Sequence, residues 1–197
     1  MYFRALNKTE TVSVILPWIK RTLGFNRGPD PQPVADAVFH ASRSPRFFTD
    51  LGVPDTFDGR FETLALHLHL LLVRLRKEGD DGAAFSQGVF DLVTNHFDEA
   101  LREIGVGDMS VGKRAKAMTR GLYGRISAYN AGFNAETPDE MKDALRRNLY
   151  GTVEQPKDDW IEAVVAYQNA AAAHLAGMPF GSIQSGSNLF PTMETSQ

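Results

Sequence analysis

Residues 60–78 constrain the fold more than any other stretch of the chain. On a wheel at about 100° per residue, Phe61, Leu64, Ala65, Leu68, Leu71, Leu72 and Leu75 form one broad apolar face. Leu66, Leu70 and Val73 form a second. Two narrow polar seams separate them: Arg60, Thr63, His67 and Arg74 on one, Glu62, His69 and Arg76 on the other. A helix apolar on two sides has to be covered on both, because each exposed face forfeits about 25 cal/mol per Å² of apolar surface. The segment therefore predicts a central helix sandwiched between others.

The rest of the chain supplies the covering helices. Gly28-Pro29-Asp30-Pro31-Gln32-Pro33 precedes a short helix at 34–43, and residues 51–59 read as an ordered turn. Further helices follow at about 83–104, 111–130, 139–150 and 157–176. Gly79-Asp80-Asp81-Gly82, Gly105-Val106-Gly107-Asp108, an Asn/Gly stretch at 130–134 and Gly151 separate them. Thr137 is placed to cap the helix that Pro138 opens, with Glu140 closing a capping box. Pro156 with Asp158 and Asp159 starts the last helix, putting acids at the positive end of its dipole. Neither strand-like alternation nor an internal repeat is visible. The expectation is an all-α fold: a single compact helical domain of six to seven helices around residues 60–78. Residues 1–30 read as a basic amphipathic segment, 31–177 as the helical domain, and 178–197 as a Ser/Gly/Pro-rich tail, either disordered or laid along the surface.

In the N-terminal segment, Val12, Val14, Ile15, Leu16, Trp18, Ile19, Leu23 and Phe25 are flanked by Arg4, Lys8, Lys20, Arg21 and Arg27. No small-residue cleavage site follows, and no stretch reaches the roughly 20 apolar residues that span a bilayer. The segment reads as a first helix packing on the core, or as one that touches anionic lipid. The chain has no cysteine, which excludes disulfides, thiolate metal sites and cysteine nucleophiles. A formal net charge of −3 argues against wholesale polyanion binding and leaves local patches open.

The search for chemistry returns little. His67 and His69 stand about 200° apart on their helix and cannot clasp one ion; no metal or cofactor is expected. His96 lies inside the apolar face of 83–104 and reads as a hydrogen-bonded core histidine. Asp55-Thr56-Phe57-Asp58 reads as turn and cap chemistry, with partner contact as the second reading. Residues 105–114 half-match a phosphate loop, but Gly112-Lys113 is followed by Arg114 and the run follows a helix, so nucleotide hydrolysis is rejected. A helix start near Lys and Arg can still receive a carboxylate or phosphate.

On the helix at 111–130, Ala117, Gly121, Gly124 and Ala128 form a flat strip. A helical glycine costs about 1 kcal/mol relative to alanine, so the strip marks the close approach of a backbone, internal or a partner's. Lys113, Lys116 and Arg120 flank it on one side, Arg114 and Arg125 on the other. From Met109 to Ala135 there are five basic residues and no acid. Nucleic acid is not expected as the partner, because no exposed aromatics are seen to interleave with these cations. A different class of function, a binder of small molecules or lipid headgroups or an enzyme, would use Asp55, Asp58 and the basic helix in one pocket.

Two blocks carry a more specific signal. Residues 47–62, Phe47-Phe48-Thr49-Asp50-Leu51-Gly52-Val53-Pro54-Asp55-Thr56-Phe57-Asp58-Gly59-Arg60-Phe61-Glu62, continue through Leu66-His67-Leu68 to Arg74-Leu75. Residues 104–114 continue to Tyr123-Gly124-Arg125 and Tyr129. Both resemble the ubiquinol–cytochrome c chaperone family, over roughly residues 35–175. The resemblance implies a helical protein without catalytic residues that helps newly made cytochrome b reach the ubiquinol–cytochrome c reductase complex. In mitochondria it acts with a small co-chaperone at the ribosome; this compact chain resembles the bacterial members. It also implies that Asp55, Asp58, Arg60, Lys113, Arg114, Lys116, Arg120, Gly121, Gly124 and Arg125 form a partner-binding surface. The implied location is the bacterial cytoplasm, peripheral on the inner membrane through the N-terminal segment, or the matrix side in a mitochondrion.

Overall fold

The computed structural model describes residues 28–192. The N-terminal apolar and basic segment, and with it the expectation of lipid contact there, lies outside the described residues. Six helices of nine residues or more build the domain: α1 (Gln32–Ser42), α3 (Phe57–Leu75), α4 (Gly79–Glu103), α5 (Asp108–Phe133), α6 (Asp139–Arg147) and α7 (Asp158–Gly177). Two single turns, α2 (Pro45–Thr49) and α8 (Phe180–Gln184), complete it, and no strand occurs among the described residues. The all-α expectation holds.

The central position of α3 is also as expected: α1, α4, α5 and α7 all pack against it. The burial goes further than the two apolar faces require. Both polar seams are covered along most of their length as well, leaving Glu62, Thr63, His67, His69 and Arg74 buried and Arg60 and Arg76 exposed at the ends. Most of the buried ones find partners far away in sequence. His67 contacts the Thr63 carbonyl through Nδ1 and the Tyr167 hydroxyl through Nε2, each at 2.8 Å. The Arg74 guanidinium donates to the carbonyls of Leu175 at 2.9 Å and Met178 at 2.8 Å, tying the end of α3 to the end of α7. The His69 ring instead lies among the rings of Tyr129 and Phe133, 5.9 Å from each. Burial holds both imidazoles neutral, with pKa values lowered to about 4.

Several local readings need correction. Gly79-Asp80-Asp81-Gly82 is the first turn of α4, not a linker. One 3₁₀ turn (Arg76–Glu78) follows α3, Gly79 bends the chain at φ 61°, and the two aspartates sit at the positive end of α4. A loop and a tight helical corner demand the same glycine-and-acid composition. The capping box at 137–140 does not form, since α6 starts at Asp139 with Pro138 at its cap and no side-chain bond. His96 is not a core residue. Its side chain is about one-third exposed, against the Phe39 ring and 3.3 Å from Glu99.

Residues 178–192 insert side chains into the core. Ile183 and Leu189 are buried in the core, and the Phe190 ring stands 5.0 Å from His67. The His174 ring also bonds the Asn188 carbonyl at 2.7 Å, pinning this arm to α7.

Candidate functional site

The helix α3 starts at a turn built by short-range rules. Thr56 is the cap, its hydroxyl accepting from the Gly59 amide at 3.1 Å, so capping falls to Thr56 and to neither aspartate. Asp55 instead accepts from Arg60 at 2.7 Å. That bond lowers the Asp55 pKa and raises that of Arg60. Gly59 is obligatory: a Cβ there would lie 2.0 Å from the Pro54 carbonyl oxygen.

This turn meets α5. Asp58, Phe57 and Phe61 share a cleft of about 450 Å³ with Gly121 and Arg125 of α5 and with Arg147 at the end of α6. A second cleft, about 180 Å³, begins at the same Phe57, Phe61 and Met118 and runs past Arg60 to His96 and Ile104. The two sequence blocks, remote along the chain, thus line a trough of two adjoining clefts that share Phe57, Phe61 and Met118. Asp58 and Gly121, both singled out from sequence, are brought together here. The walls contributed by Arg147, Asn148 and Thr152 escaped the sequence reading, because only the packing of α6 on α5 places them.

Arg125 has a structural task. It embraces the buried Glu62 with both Nε and Nη2, at 3.0 and 2.6 Å from Oε1, and stacks over the Phe61 ring at 5.5 Å. Burial raises the Glu62 pKa and outweighs the opposing pull of Arg125, while the bond to Glu62 raises that of Arg125.

Lys113, Arg114, Lys116 and Arg120 are exposed and have no ion-pair partner among the described residues. The small-residue strip also faces outward: a Cβ on Gly124 would meet nothing within 4 Å, and one on Gly121 only the ends of Arg125 and Phe61. No internal backbone approaches it at these two glycines. The glycine of α5 that does mark a close crossing is Gly132, where a Cβ would lie 2.7 Å from Met141 Cα. The start of α5, considered above as an anion site, carries its own carboxylate, since Asp108 in its first turn pairs with Arg102. One aromatic does interleave with the cations, because Tyr123 is exposed one turn beyond Arg120. No group of three metal-ligating side chains gathers among the described residues.

Residues 49–190, which include most of the first block and all of the second, match the family described as ubiquinol-cytochrome C chaperone. The chain belongs to that family. The chain is 26% identical over 133 residues to ubiquinol-cytochrome c reductase complex assembly factor 1 of Mus musculus and, to the same extent, to that of Homo sapiens. The matched region covers 67% of this chain and 44% of each of those proteins, so the chain spans less than half the length of these relatives. Its fold is similar to the crystal structure of the Cbp3 homolog from Brucella abortus, with a TM-score of 0.72 and 30% identity. That likeness covers 91% of this chain and 97% of the other.

Proposed function

We propose that this chaperone binds newly made cytochrome b and promotes assembly of the ubiquinol–cytochrome c reductase complex, acting by binding and not by catalysis. The observation that carries the reading is the family match across 49–190, which takes in the α3 turn and the α5 side of the trough. Its physical character supports it. An aromatic-floored trough flanked by an outward strip of Ala117, Gly121, Gly124 and Ala128 lets a client helix approach closely, as small residues do between membrane helices. Asp58, Arg60 and Arg125 line it, and in this reading they set the register of a polar flank. Against a catalytic use of Asp55 stands its pairing with Arg60. No helix among the described residues is long and apolar enough to cross a membrane. In this reading the protein meets its client from the cytoplasmic face, alone or with a small co-chaperone.

Affinity capture of the tagged chain from native membranes after in-cell crosslinking tests this. Cytochrome b is the expected leading partner, with crosslinks at the trough. Its absence, together with normal reductase assembly in a deletion strain, overturns the reading. Gly121→Leu with Gly124→Leu is expected to abolish capture while leaving the melting temperature within a few degrees; undiminished capture removes the strip from the site.

A further inference from the structure

Only three large apolar side chains among the described residues stand out as exposed: Ile104, Met109 and Tyr123, at 54%, 100% and 57%. Ile104 follows the end of α4 and lines the trough, while the other two lie on α5 itself. Met109, Lys113, Lys116, Arg120 and Tyr123 follow one another at intervals of four, three, four and three residues, which puts them on one line of the helix. The line is about 21 Å long. It faces opposite the stripe of Val111, Ala115, Leu122 and Tyr129 that is buried in the core.

An apolar side chain left wholly in water beside unpaired cations needs a partner that offers hydrocarbon and negative charge together. We infer that this line of α5 is where the protein rests on an anionic phospholipid surface. Met109 enters the acyl boundary at one end, and Tyr123 sits at headgroup depth at the other. Lys113, Lys116 and Arg120 meet lipid phosphates between them. The charge balance fits, since residues 109–135 hold no acid and Asp108 is already paired with Arg102. Single-stranded RNA would also meet these cations, but it has no use for a fully exposed methionine. One face of Tyr123 is also partly taken by Phe90, the rings 4.8 Å apart. The inference deepens the client-docking reading, on which it rests for placing a bilayer within reach. It assigns the basic row of that surface to the membrane and leaves the trough to the client.

Flotation of the purified full chain with vesicles contains no client, so its outcome is independent of what crosslinking finds. The protein is expected to float with mixed phosphatidylcholine–phosphatidylglycerol vesicles, to stay behind with pure phosphatidylcholine, and to be released by salt. Each cation near such a surface contributes about fivefold in partitioning, so Lys113→Glu, Lys116→Glu and Arg120→Glu combined should weaken it by about a hundredfold or more. Met109→Asp, a change at a fully exposed position, should weaken it while the thermal midpoint stays unchanged. Failure of the wild-type chain to float with anionic vesicles overturns the inference. So does flotation of both variants at the wild-type level, which would move lipid contact to another part of the chain. Displacement from the vesicles by an RNA oligonucleotide that binds more tightly overturns it as well, in favour of RNA.

Discussion

Glu62 is a buried carboxylate held by Arg125, and the pair shows how much one long-range contact decides. Arg125→Ala leaves that acid buried and alone. Breaking a fully buried pair costs about 3–5 kcal/mol; with the Arg125 side chain one-third exposed, solvent screening brings the expected loss to about 2 kcal/mol. Urea unfolding at neutral pH should show it. Glu62 already has a raised pKa, so the folded state holds its proton more tightly than the unfolded one. The stability this provides is present at acid pH and fades as pH rises through the folded pKa; in the variant that dependence steepens. His67 and His69 act in the opposite direction. Each is lowered from 6.5 to about 4, so the unfolded chain takes up protons that the folded one refuses. Their contribution is intact above pH 6.5 and is lost as pH falls towards 4. Neither ring nitrogen of His69 has a hydrogen-bond partner among the described residues, so His69→Phe should be neutral or stabilising at pH 7 and should flatten the acid slope of thermal unfolding. The seams of α3 looked like solvent-facing edges in sequence because their partners lie so far along the chain. Tyr167 is 100 positions from His67, and Arg125 is 63 from Glu62.

Among the elements, α5 carries two kinds of glycine that sequence alone does not separate. Gly132→Ala should destabilise by about 1–3 kcal/mol, because its Cβ would press on the Met141 backbone where α6 crosses. Gly124→Ala meets only open space and should stabilise by up to about 1 kcal/mol through helix propensity. Comparing the two denaturation midpoints checks both assignments. The existence of the six main helices was legible, because apolar residues at a 3.6 period report burial wherever the partner lies. Of the residues expected to form one surface, Asp58, Arg60, Gly121 and Arg125 line the two clefts, whereas Asp55, Lys113, Arg114, Lys116, Arg120 and Gly124 line neither. The corner at Gly79–Gly82 was not legible, nor was the α6 wall of the trough. The first shares its composition with loops, and the second depends on how whole helices cross.

At the scale of the whole molecule, the arm at 178–192 is a structural member of the core. Removing everything after Gly177 takes away the buried Ile183 and Leu189 and uncovers the His67 side of α3. At about 1.5–3 kcal/mol for each buried aliphatic side chain, the truncation should cost at least about 3 kcal/mol. A large drop in melting temperature, or recovery only as aggregate, is the expected result; an unchanged melting curve would contradict the packing. The arm also imposes an order on the protein's own birth. Helix α3 lies in the first half of the chain, yet its last cover arrives with Leu189 and Phe190. During synthesis its apolar flanks are therefore made long before they can be closed, and a ribosome stalled anywhere short of residue 190 holds a sticky half-built core. The completed fold is thus preceded, in every molecule made, by an interval in which its own core lies open.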